Sequence, residues 1–196
     1  MVEIIVGRLI LGMMEIRIHG RGGQGAVTSS KLAGLAASIE GKYGQGLPFY
    51  GFERRGAPVE VYLRFDDRPI LISSRIYEPH GIIVLDPILA ELESVVAKGM
   101  KEGGFAVLNT LKDPEEIGYA RRLSKIAAVD ATGVALKTLG RPITNTAILG
   151  AFSRATEILK LSSLEEAVKR VLPQRFHGAN IEALRMAYGE TRVKEM

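Results

Sequence analysis

Cysteine is absent from this 196-residue chain, and so is tryptophan. Without a thiol the chain has no disulfide, no thiolate nucleophile, no cysteine-ligated zinc and no cysteine-bound iron–sulfur cluster of its own. Histidine is scarce: His19, His80 and His177 lie far apart with no H-x-x-x-H spacing, so no metal site is expected. Long apolar runs are missing as well. The stretch Met1–Met13 is apolar in pieces, interrupted by Glu3 and Arg8; it is too short to cross a bilayer and lacks the layout of a signal peptide. Residues 1–13 read as an extension, with a single domain over 14–196. One-sided charge is missing too, since 26 Lys and Arg interleave with 22 Asp and Glu for a net charge of +4. A nucleic-acid partner would want a basic stripe with aromatic platforms, and none is expected.

What remains, 46% hydrophobic and 24% charged, is the composition of one globular domain with a sizeable core. Abundant Glu, Lys and Arg beside little Asn and Gln point toward a thermophile. Along the chain, β-like and helical runs alternate. A strand at Glu15–His19 precedes a helix at Ala26–Glu40, in which Leu32, Leu35, Ala36 and Ile39 share one face. Gly41–Gly56 reads as a glycine- and aromatic-rich loop. Pro58–Phe65 and Pro69–Ile76 read as two strands joined at Asp66-Asp67-Arg68 in a hairpin. Gly81–Leu85, Phe105–Leu108 and Lys125–Val129 look like strands of a parallel sheet. Helices are expected at Ile88–Lys98, after Asp113-Pro114, and at Val134–Leu139, Thr146–Leu159, Ser163–Val171 and Ala179–Tyr188, with a Ser163/Glu166 capping box. The sum is an α/β fold: a three-layer α/β/α, Rossmann-like domain whose mainly parallel sheet carries an added antiparallel hairpin.

The most informative stretch is Glu15–Ala26. A strand ends at His19, Gly20, Gly22, Gly23 and Gly25 follow within six residues, and a helix begins. Backbone N–H groups and a helix N-terminus then meet at one point, which attracts a phosphate. The spacing fits G-x-G-x-x-G. A glycine turn that only lets a helix pack closely on a sheet has the same layout, and the pattern leaves both readings open. The acid that a dinucleotide site carries about 20 positions on, at the end of the second strand, has only Glu40 as a candidate. Its glycine-rich surroundings suit no buried strand, so an ordinary nicotinamide site is not supported.

Other strand ends carry Asp86, Asn109-Thr110 and Asp130-Ala131-Thr132, which converge on one rim if the strands are parallel. Asp86, Asp113 and Thr132 suit helix caps. Asn145-Thr146 reads as a cap first and a ligand contact second. Phe49, Tyr50, Phe52, Glu53, Arg54 and Arg55 share one loop, and such apolar area is costly to leave in water. That loop is expected to meet a partner, the alternative being a loop folded back on its own domain.

Five motifs occur in order: His19–Gly25, Phe49–Pro58, Val84–Asp86, Val129–Thr132 and Ile143–Gly150. Together they resemble the γ subunit of archaeal and bacterial 2-oxoacid:ferredoxin oxidoreductases, with the pyruvate and 2-ketoisovalerate enzymes as the nearest pattern. The resemblance runs from Glu15 to Tyr188. It implies a cytoplasmic hetero-oligomer in which α, β and δ subunits accompany γ. Thiamine diphosphate, Mg2+ and iron–sulfur (4Fe-4S) clusters would sit on the other subunits, and ferredoxin would accept the electrons as a 2-oxoacid becomes acyl-CoA and CO2. For this chain it implies no catalytic residue, inactivity in isolation, and a role in assembly and coenzyme A contact. Carried over by motif, Gly20, Gly22, Gly23 and Gly25 would admit a phosphate close to the backbone. Arg21 would add charge and Gln24 a neutral donor, with Asn145 and Thr146 as further contacts. Two other readings stand beside this one: a stand-alone NAD- or FAD-binding oxidoreductase, and a purely structural subunit whose glycine turn only packs.

Overall fold

The computed structural model describes residues 12–49 and 58–196. Four parallel strands form the middle of its sheet: β1 (Met14–Arg21), β4 (Gly81–Val84), β5 (Gly104–Asn109) and β6 (Leu123–Val129). β3 (Pro58–Asp66) lies antiparallel to β1, and β2 (Tyr43–Phe49) is antiparallel to β3 at that edge. β7 (Arg192–Glu195) pairs antiparallel with β6 at the other, giving the order β2-β3-β1-β4-β5-β6-β7.

Side chains alternate across the sheet, as extended backbone requires. Ile16, Ile18, Ile83, Leu85, Val107, Ala127 and Val129 point to a thick layer built of α1 (Ala26–Ile39), α4 (Ala131–Leu139), α5 (Asn145–Thr156), α6 (Leu161–Val171) and α7 (His177–Glu190). Ile82, Val84, Ala106, Leu108 and Ile126 point the other way. There they meet two single-turn helices, α2 (Pro87–Ala90) and α3 (Glu93–Val96), together with Ile117, Tyr119 and Ala120. The α/β class and the layered, Rossmann-like arrangement stand.

The antiparallel part of the sheet is built differently from the expected hairpin. Residues 69–76 form no strand, because both edges of β3 are already taken by β1 and β2, and Leu71 is 92% exposed. The supposed loop supplies the missing strand, β2. A Cβ on Gly44 would stand 2.6 Å from the Gly34 Cα of α1, and one on Gly46 would stand 2.6 Å from the Ser30 hydroxyl. The glycines that argue against a strand are there so that α1 can approach it. The expected helix at Ile88–Lys98 is broken into α2 and α3, and Asp113-Pro114 opens only a 3₁₀ turn, Pro114–Glu116. α6 starts at Leu161, which places Ser163 inside it rather than at its cap. β7, short and exposed, has no counterpart in the expected pattern.

α5 and α7 cross at Gly150, where a Cβ would collide with the Leu184 carbonyl. Gly150→Ala is expected to cost about 1–3 kcal/mol of stability through overpacking, read as a lower denaturant midpoint. An unchanged midpoint would show that this crossing can open at no cost.

Candidate functional site

From β1 the chain passes into α1 on one face, and from the neighbouring β4 into α2 on the other. A crevice opens between two parallel strands whose following helices depart to opposite sides, the usual ligand position in such sheets. The glycine turn stands on one side of that crevice and Asp86 on the other. Gly23 and Gly25 have φ of 100° and 86°, a region open to glycine at little cost. The turn is closed by the Gln24 amide donating to the Arg21 carbonyl at 3.1 Å. It is closed a second time by the Gln24 side chain, whose Oε1 accepts from the Arg21 amide at 2.7 Å.

The same glutamine reaches across the crevice. Its Nε2 donates to Asp86 Oδ2 at 2.9 Å, and Arg21 Nε lies 3.2 Å from that oxygen. Asp86 Oδ1 meanwhile accepts from the amides of Ile88 and Leu89, both at 3.0 Å. Asp86 is therefore the helix cap its sequence context suggests, and also the far anchor of the glycine turn.

α5 completes the rim. A Cβ on Gly25 would stand 2.8 Å from the Asn145 Cβ, and the Ser29 hydroxyl donates to the Asn145 carbonyl at 3.1 Å. Asn145 thus borders the turn, more than a hundred residues away in sequence. Thr146 is fully buried, and its hydroxyl donates to Asn180 of α7 at 3.0 Å. Asn109 Nδ2 donates to the Leu85 carbonyl at 2.7 Å and to Thr132 Oγ1 at 2.9 Å, bracing three strand ends. The cap of α4 is Asp130, whose Oδ1 accepts from Gly133 at 2.8 Å, and not Thr132. The bracing by Asn109 and the second role of Asp86 went unread in the sequence; the one available signal was a polar residue at each strand end.

Glu40 stands at the C-cap of α1, with Oε1 accepting from the Lys160 amide at 2.7 Å. The place beside β1 where a dinucleotide fold has its second parallel strand holds antiparallel β3 instead. The acid that β3 sets opposite His19 is Glu60, which accepts from the Tyr62 hydroxyl at 2.7 Å.

On the other sheet face β1 and β3 present charge. Arg17 donates to the carbonyls of Val96 and Lys98, tying β1 to the end of α3. Arg17 Nε and His19 Nε2 are buried without a hydrogen-bond partner among the described residues, 3.8 and 3.9 Å from Glu60 Oε1. Burial first, and then the Arg17 charge, push the His19 pKa down to about 3 against the opposing Val96 carbonyl. Burial and the 2.7 Å bond to Glu60 push Tyr62 up to about 12. Phe49 lies beneath the Arg75 guanidinium, 3.6 Å from ring centre. Tyr50, Phe52, Glu53, Arg54 and Arg55 lie outside the described residues. No group of three or more potential metal ligands occurs among the described residues, nor does any helix long and apolar enough to cross a membrane.

A strand, glycine turn and helix beside a switch point define a layered, Rossmann-like α/β domain. The model of the pyruvate ferredoxin/flavodoxin oxidoreductase family matches residues 15–190, and the chain belongs to that family. A Thermococcus litoralis protein named pyruvate/ketoisovalerate oxidoreductases common subunit gamma is 50% identical over 186 residues, covering 94% of this chain and 100% of that protein. Pyruvate synthase subunit PorC of Methanocaldococcus jannaschii is 45% identical over 182 residues, covering 93% and 99%. The crystal structure of pyruvate oxidoreductase subunit PORC from Thermotoga maritima superposes with a TM-score of 0.80 at 37% identity, covering 93% and 99%.

The depressed pKa of His19 has a consequence for stability. Below pH ~6.5 the unfolded chain protonates this residue while the folded chain keeps it neutral to about pH 3. The contribution is whole above pH ~6.5 and is lost as pH falls, at up to about 1.4 kcal/mol per pH unit. His19→Asn is expected to flatten the decline of stability between pH 7 and pH 4 in urea titrations. A slope equal to that of the unsubstituted chain would show that His19 takes up its proton in the folded state.

Proposed function

We propose that this chain is the γ subunit of a pyruvate:ferredoxin oxidoreductase, or of one acting on a related 2-oxoacid such as 2-ketoisovalerate. In this reading it supports conversion of the 2-oxoacid to acyl-CoA and CO2, contributing to coenzyme A binding and to assembly with α, β and δ subunits. Ferredoxin accepts electrons from the assembly, and the isolated chain is inactive. The observation that carries this reading is end-to-end correspondence: 50% identity that spans the whole of a protein named as a gamma subunit.

The composition supports the same division of labour. A chain with no cysteine offers no thiolate for a cluster, so electron transfer falls to other subunits. What this chain offers is the crevice. Coenzyme A is rich in phosphate, and the turn supplies glycine backbone, the N-terminal end of a 14-residue helix with no side-chain cap, and the Arg21 guanidinium. The Arg21 and Gln24 amides are spent in closing the turn. Phosphate contact therefore falls to Gly22, Gly23, Gly25 and the first turn of α1, with Asn145 at the rim. The stand-alone NAD or FAD reading loses ground to β3, which occupies the place of the second parallel strand.

The test is steady-state kinetics of the assembled enzyme carrying Arg21→Ala. Loss of a charge-assisted contact should raise KM for coenzyme A by about 10- to 100-fold, with KM for the 2-oxoacid unchanged. An unaltered KM for coenzyme A in an intact assembly would favour a turn that only packs.

A further inference from the structure

We propose that Asp86 is the positioning residue of the glycine turn: it holds the turn in its ligand-ready shape from across the crevice, without itself touching the ligand. The inference takes its ligand from the coenzyme A reading above, but its geometry stands apart from it.

Asp86 is 5% exposed, and its two oxygens do different work. Oδ1 is taken by the Ile88 and Leu89 amides and belongs to β4 and α2. Oδ2 belongs to the turn, receiving Gln24 Nε2 at 2.9 Å with Arg21 Nε at 3.2 Å. Gln24 is the residue whose Oε1 clamps the Arg21 amide. The carboxylate therefore sets the orientation of the glutamine, and the glutamine sets the orientation of the turn. Gly23 and Gly25 sample many conformations when unrestrained, so a turn built on them needs such an external tie to present its amides in one direction. Electrostatics point the same way. A carboxylate beside an anion site repels the anion, and Asp86 is tolerable there because it holds Arg21 at the same place as a fixed counter-charge.

The substitution Asp86→Asn separates the two oxygens. Asparagine keeps an acceptor for the α2 amides and is a good cap, but it turns an NH2 group toward Gln24 Nε2 and Arg21, where two donors then face a third. Gln24→Ala severs the same tie from the turn side and leaves the Asp86 carboxylate and the α2 cap whole.

The experiment uses the assembled enzyme in unsubstituted, Asp86→Asn and Gln24→Ala forms. Hydrogen–deuterium exchange is followed at the amides of Arg21 and residue 24, the two bonded within the turn, and KM is measured for coenzyme A and for the 2-oxoacid. Both variants should lose protection at the turn and raise KM for coenzyme A about tenfold, with KM for the 2-oxoacid unmoved. In an Arg21→Ala/Gln24→Ala background, Asp86→Asn should add less than about twofold. Lost protection with an unchanged KM would keep Asp86 as the tie and count against coenzyme A as the ligand. Unchanged exchange in both variants, or a full tenfold effect of Asp86→Asn in the doubly substituted background, would overturn the proposal.

Discussion

The carboxylate of Asp86 joins the end of β4 to the turn that ends β1, and it does so where the helices that follow those strands leave for opposite faces of the sheet. The coenzyme A reading of the glycine turn depends on that junction. On one side are backbone amides arranged by Gly23 and Gly25; on the other is the capped start of α2. Asn145 is brought to the same rim by α5, with Ser29 holding its carbonyl. A buried carboxylate is costly unless its oxygens are satisfied, and here two amides, a side-chain amide and a guanidinium approach it. The cost of burial becomes geometric definition of the turn.

The two faces of the sheet are built on different principles. The thick face is close packing: glycines at 34, 44, 46 and 150 let α1, β2, α5 and α7 approach until an added Cβ would clash or press tightly. The opposite face is apolar under α2, α3 and the segment 117–120. Toward β1 and β3 it becomes a charged surface, where Arg64 is fully buried against Glu15 and the Ser74 carbonyl, and Arg17 binds carbonyls at the end of α3. That face holds its elements together by hydrogen bonds from buried arginines, which lose less on desolvation than a lysine would.

Much of this was legible in the residues. The runs at Gly81–Leu85, Phe105–Leu108 and Lys125–Val129 are parallel strands, and the glycine turn between β1 and α1 stands where the spacing put it. Failures occurred where tertiary contact overrules local preference. Gly44, Gly46 and Pro48 look like a loop and form a strand, because α1 packs against their bare backbone. Ile70, Leu71 and Ile72 look like a strand, yet no free edge of β3 remains for them. At the site, the residue types at the strand ends were readable but their partners were not. Nothing local says that Gln24 reaches Asp86 over 62 positions, or that Asn145 closes on Gly25. Thr146, grouped with Asn145 in the sequence, directs its hydroxyl to Asn180 instead.

In the proposed reading this chain supplies shape, and the chemistry falls to the other subunits. It carries no thiol, the buried His19 at the end of β1 is kept neutral, and its crevice is lined by amides and a neutralised ion pair. The account stands or falls on where coenzyme A sits in the complete oxidoreductase. The most direct measurement is a structure of the assembled enzyme with coenzyme A bound. The account predicts a phosphate of the coenzyme within hydrogen-bonding distance of the Gly22–Ala26 amides, with the Gln24–Asp86 bond intact. Coenzyme A bound with no contact to that turn would contradict it.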